Sequence, residues 1–495
     1  MSLVQATPVV PLAHMKRVHF IGIGGAGMSG IARVLLQRGV GVSGSDAVDS
    51  AVLTELSELG AQVHVGHAET NVSTAGADTV VVSSAVRDDN PELCWSRAAG
   101  IRVLPRASVL GSLLLDRRGV AVAGTHGKTT TTSMLTSALQ HLGADPGYVI
   151  GGSLVSNGIG ADAGAGDLML VEADESDGSF LMLDPAIAVV TNVEADHMDN
   201  YATLDEIHAS FASFADRVGH GLIACADDPG ARKVAEHARM RGVDVRTFGT
   251  AAEADYRLAD ISAEGFATTC TITFPHDQPA PEQQSLRCRV ELPGRHNIRN
   301  AAATIAVLHM LGYAPQDARD AVATFRGTAR RFEPKGTVAG VRVYDSYAHH
   351  PTEVAADLRA ARSALQSVSD ATGSAPGRIV AAFQPHLFSR TRIFASEFAA
   401  ALSQADEIAV LPIYPARESP QPGVTAHLIS DEIDSGRVHT LDSADWETVA
   451  TRLVEQTRPR SGDIVVTMGA GDVTHLGPQI VSVLERRGME RGNGD

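Results

Sequence analysis

The sequence predicts an α/β protein of three domains built on mainly parallel sheets. Three observations carry that expectation. Short apolar runs recur along the chain, each followed by a glycine-rich turn and a stretch with helical spacing, the order expected of strand, turn and crossover helix. The chain has 495 residues, and at roughly 150 residues per domain that length holds about three. Hydrophobic residues make up 44% of it, enough for several cores and too many for a disordered chain.

Taken in order, strands are expected at 18–23, 79–83, 120–124, 168–173, 187–192, 222–225, 379–383, 407–411 and 464–468. Helices are expected at 27–37, 129–141, 204–217, 297–311, 352–364 and 395–401. No internal repeat interrupts them. The basic turn Asp116-Arg117-Arg118-Gly119 precedes a fresh strand and sets a first boundary near 118. A second falls near 328, where residues 327–331 separate a helical stretch from a new strand-like run. The expected domains are therefore 1–118, 119–328 and 329–495. Segments 156–167, 275–284 and 367–377 read as surface loops, and 486–495 as a frayed tail.

Charge and cysteine content narrow the class. A formal charge of -17 argues against binding a nucleic-acid backbone, which needs clustered Lys and Arg. Cys94, Cys225, Cys270 and Cys288 show no CxxC and no metal-like spacing, as expected of free thiols in a reducing compartment. The N-terminus lacks a basic start followed by an apolar core, and no run approaches about 18 apolar residues. A cytoplasmic protein without membrane contact is expected.

The first expected strand runs into Gly22-Ile23-Gly24-Gly25-Ala26-Gly27 and then a helix. Glycines there permit a tight turn and let backbone amides at a helix N-terminus approach a diphosphate. A second apolar run ends in Ser45-Asp46, where a ribose-binding acid would sit. Taken alone this turn fits NAD(P), another diphosphate ligand or a plain βαβ connection. The second loop is more specific. Gly124-Thr125-His126-Gly127-Lys128-Thr129-Thr130 lies between a strand and a helix. It departs from GxxxxGK[ST] only in Val122, and keeps the lysine for phosphates and the hydroxyl for Mg²⁺. Lys128 is one of only four lysines in the chain. An ATP loop in the second domain displaces the NAD reading of the first turn in favour of a nucleotide-linked substrate.

Acidic groups follow at strand ends. Glu172-Ala173-Asp174-Glu175-Ser176-Asp177 closes one strand, and Thr191-Asn192-Val193-Glu194-Ala195-Asp196-His197 the next. Carboxylates beside a phosphate loop are where Mg²⁺ ligands belong, because the ion bridges phosphate oxygens. A zinc site is not expected, since no cysteine lies nearby.

With GIGGAGMSGIA, GTHGKTTTT, EADESD, TNVEADHMD, GRHNIRNAAA, GTARRFE, YAHHPTE, QPHLFSRT and MGAGDV in one chain, the sequence resembles the Mur ligases over about residues 16 to 480. The resemblance implies a Rossmann-like UDP-sugar domain, a central P-loop-type ATPase domain and a C-terminal Rossmann-like domain that closes over ATP and binds the amino acid. It implies ATP-dependent joining of L-alanine to UDP-N-acetylmuramate through an acyl phosphate, in peptidoglycan precursor synthesis, by a monomer or homodimer using ATP and Mg²⁺. The sister activity, recycling of murein peptides onto the same UDP-sugar, stays as the alternative; an NAD-dependent oxidoreductase would leave the second loop unexplained.

Residue roles follow from the same resemblance. Gly24, Gly25, Ala26, Gly27, Met28 and Ser29 would meet the diphosphate, with Ser45, Asp46, His67, Ser83 and Ser84 along the uridine and sugar. Lys128 would contact the ATP phosphates within the loop of Gly124, Thr125, His126, Gly127, Thr129 and Thr130, and Thr129, Glu172 and His197 would serve magnesium. Asn297 and Asn300 would meet adenine, and Arg331 and Asp345 would close over the nucleotide. Tyr347, His349, His386 and Arg390 would shape the amino-acid site, His349 as acceptor of the amine proton. Three departures stand out. Ser346 occupies the place of a common second aspartate, and Leu387 that of a common arginine. No lysine lies between Asn192 and Arg232 to serve as the carbamoylated bridge of some relatives.

Overall fold

Glycine turns and buried apolar runs organise the chain into three sheets among the described residues. The computed structural model describes residues 7, 9–195, 200–275, 285–416, 418–434, 436–441, 443 and 445–492. It forms two compact units, one of residues 1–259, 271–288 and 299–325, the other of 260–270, 289–298 and 326–495.

The first sheet contains β1 (Arg17–Ile21), β2 (Gly41–Asp46), β3 (Gln62–Val65), β4 (Thr79–Val82) and β5 (Arg102–Pro105) in the order 3-2-1-4-5. All its pairings are parallel. The order reverses between β1 and β4, and in such sheets ligands bind outside the carboxyl ends at that reversal. The glycine turn follows β1 there, and Ser83 and Ser84 follow β4. The helix Ala26–Gln37 buries Met28, Ile31, Val34 and Leu35. Gly30 lets it approach closely: a Cβ there would stand 3.2 Å from that of Ala161 and 3.4 Å from Val149.

The second sheet contains β6 (Arg118–Ala123), β7 (Gly147–Val149), β8 (Ala161–Asp162), β9 (Leu168–Glu172), β10 (Ile187–Val190), β11 (Gly221–Cys225), β12 (Asp244–Gly249), β13 (Tyr256–Glu264), β14 (Ala267–Thr273) and β15 (Ser285–Val290). Its order is 15-14-13-12-11-10-6-9-7-8. Strand β6 lies parallel between β10 and β9, so the loop after β6 is flanked by the ends of both neighbours. These strands are buried almost throughout, as a parallel sheet covered on both faces requires.

The third sheet contains β16 (Glu333–Val338), β17 (Val341–Ser346), β18 (Ile379–Phe383), β19 (Glu407–Val410), β20 (Val438–Thr440) and β21 (Ile464–Met468), ordered 16-17-21-18-19-20. Only β16 runs antiparallel, at the edge. Apolar clusters cover both of its faces.

Each of the nine expected strands and six expected helices is present, all with small shifts at their ends except the helix expected at 352–364, which runs on to Thr372. Three expectations are corrected. The segment 156–167, expected as loop, contains the short edge strand β8 (Ala161–Asp162), paired with β7. The segment 367–377 is mostly helix: Pro351–Thr372 continues to a left-handed Gly373. Its Ser367 is anchored by donating to the Ala263 carbonyl at 3.0 Å and accepting from the Gly265 amide at 2.9 Å. Residues 486–492 of the expected tail are also helical, within Leu476–Gly492. Part of the loop expected at 275–284 lies outside the described residues.

Candidate active site

The phosphate loop is shaped by backbone that only glycine adopts easily. Gly124 has φ +129°, and a Cβ on it would stand 2.1 Å from Thr191 Oγ1. Gly127 has φ +86°, with Asn300 Oδ1 2.8 Å from where its Cβ would be. The end of β10 grips the loop from the side. Asn192 accepts from the His126 amide at 2.8 Å and donates to the His126 carbonyl at 2.9 Å, while Thr191 Oγ1 donates to the same carbonyl at 2.6 Å. Thr125 Oγ1 accepts from the Glu194 amide at 2.9 Å.

Lys128 starts the helix Lys128–His141 and folds back over the loop. Its Nζ donates to the carbonyls of Gly124 and Thr125 and to Glu175 Oε1, at 2.6, 3.2 and 2.8 Å. Burial alone would lower its pKa, but Glu175, Asp174 and Glu172 outweigh burial and raise it. The ammonium therefore stays charged. Thr129 Oγ1 donates to Glu172 Oε1 at 3.0 Å, and Glu172 Oε2 accepts from the Gly151 amide at 2.9 Å. Thr130 is buried in the helix that follows the loop. Asn300 reaches the loop through Gly127, whereas Asn297 donates to the Pro293 carbonyl at 2.8 Å. His197 lies outside the described residues.

At the first sheet, Asp46 Oδ2 accepts from the Gly24 amide at 2.9 Å and so holds the glycine turn. Gly25 and the amides of Met28 and Ser29 are engaged within the turn and its helix. The amides of Ala26 and Gly27 have no partner among the described residues, and no acid occupies the first helical turn. That is an anion-binding arrangement. The Met28 side chain points into the core. Ser45 is fully buried, Ser83 half-buried and Ser84 exposed. Ser45 and His67 meet on Glu92, which residue types and spacing did not single out. Arg106 was also missed: its guanidinium covers Gly27 and lies 3.5 Å from Asp174, linking the glycine turn to the acids around Lys128.

The second unit gathers the remaining residues. Arg330 and Arg331 both stack over the Tyr347 ring, at 4.8 and 5.1 Å. Arg331 Nη1 also lies 3.8 Å from Glu353. Asp345 is fully buried and accepts from Thr467 and Thr474 at 2.8 and 2.6 Å. His349 Nδ1 donates to the Tyr347 carbonyl at 3.0 Å, which leaves the lone pair on Nε2. Burial pushes His349 down to about 4, against the opposing pull of Glu353. His386 stacks on Tyr414, and burial with the nearby Arg390 charge lowers it to about 4 as well. Ser346 donates to Asp357, so this departure brings its own carboxylate partner.

Comparison with known proteins decides the family. Residues 17–118 match the model of the Mur ligase family catalytic domain, 122–308 that of the Mur ligase middle domain, and 330–471 that of the Mur ligase glutamate ligase domain. The chain belongs to the Mur ligases. It is 62% identical over 484 residues to the UDP-N-acetylmuramate–L-alanine ligase of Thermobifida fusca, covering 98% of this chain and 100% of that one. The ligase of the same name from Kineococcus radiotolerans is 49% identical over 486 residues, 96% of this chain and 98% of its own. Among solved structures, the UDP-N-acetylmuramate–alanine ligase of Thermotoga maritima superposes with a TM-score of 0.77 at 27% identity, covering 96% of this chain and all of the other. A murein peptide ligase from Psychrobacter arcticus shares the fold, with a TM-score of 0.67 at 24% identity over 95% of this chain and 98% of its own. The Mur ligase fold is thus a three-domain α/β architecture here, as expected.

Proposed function

We propose that this chain joins L-alanine to the lactyl carboxylate of UDP-N-acetylmuramate, converting ATP to ADP and phosphate, in peptidoglycan precursor synthesis. The observation that carries this reading is the 62% identity to a ligase of that name along nearly the whole of both chains. The chemistry suits the groups present. The γ-phosphoryl of ATP passes to the lactyl carboxylate, the neutral amine of L-alanine attacks the resulting acyl phosphate, and phosphate leaves. Positioning and charge stabilisation carry such a transfer, and the charged Lys128 supplies part of the latter. The free amides of Ala26 and Gly27 suit the UDP diphosphate. His349 Nε2 offers a lone pair for the proton that the attacking amine sheds.

Magnesium fits the donor set. Thr129 and Glu172 supply a hydroxyl and a carboxylate oxygen 3.0 Å apart beside the phosphate loop. Among the described residues no three His, Cys, Asp or Glu side chains could hold a metal on their own. Mg²⁺ typically takes one or two protein oxygens and completes its shell with phosphates and water. Thr129 and Glu172 would hold it, and its charge would offset that of the phosphates. No helix of the described residues is long and apolar enough to cross a membrane, and we place the reaction in the cytoplasm.

The test is a competition among acceptors. Purified protein with ATP and UDP-N-acetylmuramate should release ADP stoichiometrically with L-alanine, faster than with glycine, L-serine or a murein tripeptide, and with no change in nicotinamide absorbance. Preference for the tripeptide would move the assignment to murein-peptide recycling.

A further inference from the structure

Glu92 lies at the start of the helix Pro91–Ala98 and is wholly buried. Five groups converge on it. Oε1 accepts from Asn71 Nδ2 at 2.7 Å and the Ala68 amide at 3.3 Å. Oε2 accepts from Ser45 Oγ at 2.5 Å and faces His67 Nδ1 at 3.3 Å and His19 Nε2 at 3.7 Å. Asn71 also donates to the Gly66 carbonyl at 3.1 Å, so the segment carrying His67 is pinned on both sides of that residue. Burial would push the Glu92 carboxyl up, but His19, Ser45 and Asn71 outweigh it and hold it down to about 2. Glu92 is therefore an acceptor only.

That one fact orders the protons around it. The Ser45 hydroxyl has a single hydrogen, and it goes to Glu92. Ser45 Oγ must then accept from His67 Nδ1, 2.9 Å away. With its proton on Nδ1, a neutral His67 carries a lone pair on Nε2. The His67 side chain is 27% exposed, and its Nε2 has no partner among the described residues.

We propose that Glu92 is a positioning residue for the nucleotide-sugar pocket: through Ser45 it holds His67 in the Nδ1–H tautomer, making Nε2 an acceptor for a hydroxyl or imide N–H of the UDP-sugar. A carboxylate that sets a histidine's free nitrogen through the other one is the arrangement used to orient metal-binding and catalytic histidines. This role rests on the substrate reading above. Sequence could not supply it, because the helix that carries Glu92 and the strand that carries Ser45 lie 47 residues apart.

The experiment combines spectroscopy and binding on the full chain. Nitrogen-15 NMR of the wild type should show the His67 proton on Nδ1 at neutral pH, which needs no variant. Glu92→Gln places an amide N–H among donors, so it should disturb that tautomer and weaken UDP-N-acetylmuramate binding about tenfold, the loss of one hydrogen bond. His67→Ala should weaken it similarly, and the double variant hardly further, while KM for ATP stays within about twofold. A proton on Nε2 of the wild type, or losses that simply add in the double variant, would overturn the role of Glu92. Failure of the wild type to bind UDP-N-acetylmuramate at all would instead remove the substrate reading, and this role with it.

Discussion

Lys128 shows what a single residue contributes and how its surroundings decide it. A lysine buried to 14% side-chain exposure would lose its proton readily on its own. Glu175 at 2.8 Å, with Asp174 and Glu172 nearby, keeps it charged. Lys128→Ala should therefore abolish ligation, measured as ADP release, while calorimetry finds UDP-N-acetylmuramate affinity within a few-fold, because the glycine turn sits on a different sheet. Asp46 tests the opposite separation. It accepts from the Gly24 amide at 2.9 Å, so Asp46→Ala should loosen the turn and weaken UDP-sugar binding by about ten- to a hundred-fold, the range for a bond to a charged acceptor. Nucleotide-analogue binding measured on the same variant should stay nearly intact; equal losses at both ligands would contradict the assignment of Asp46 to the sugar nucleotide.

At the level of elements, the phosphate loop is a strand-to-helix connection held from outside itself. Its glycines were legible in the sequence, but the reason each is needed was not. Gly124 is required twice over, by its positive φ and by the Thr191 hydroxyl that a methyl group would strike at 2.1 Å. Gly124→Ala should thus displace the loop from the end of β10, depressing turnover by at least tenfold and destabilising the fold by roughly 1–3 kcal/mol. Thermal unfolding alongside steady-state ADP release would check both; a variant of unaltered turnover would mean that the β10 contacts do not shape the loop. Acidic runs were legible only as candidates. EADESD offered four carboxylates, and geometry alone sorted them: Glu172 to the Thr129 hydroxyl, Glu175 to Lys128, Asp174 towards Arg106 and Asp177 to the Ser179 amide.

Across the whole molecule, buried titratable groups set how stability follows pH. Glu92, held to about 2, contributes stability that is present above the ordinary value of 4.5 and lost as pH falls through about 2. His349 and His386, lowered from 6.5 to about 4, behave alike: the unfolded chain takes up their protons first, so stability drops between about pH 6.5 and 4. Asp357 has the reverse sign. Burial raises it from 3.8 to about 6, so its contribution is present below 3.8 and lost as pH rises through 6. Asp357→Asn should accordingly raise the melting temperature at pH 8, by an amount equivalent to at most about 3 kcal/mol, and leave it unchanged near pH 3.5. Thermal scans of both proteins at the two pH values would decide it, an equal shift at both counting against the burial argument.

Local patterns in the sequence determined nine of the 21 described strands, the two glycine loops and the presence of a lysine and acids at strand ends, because each depends on residues within a few positions of one another. The helix 352–364 was cut short for the same reason: residues 367–372 look like polar loop until Ser367 meets Ala263 and Gly265 from a distant strand turn. The motif resemblance supplied the family, since nine short runs in one order are far more specific than either loop. Only the tertiary structure decided which partner each polar group takes. Ser45 looked like a pocket residue and is a buried link between His67 and Glu92; Arg106 carried no motif and lies between Gly27 and Asp174. Such partners stand 22 to 79 residues apart in the chain. Hydrogen bonds act over about 3 Å of space, and only folding converts that separation into contact.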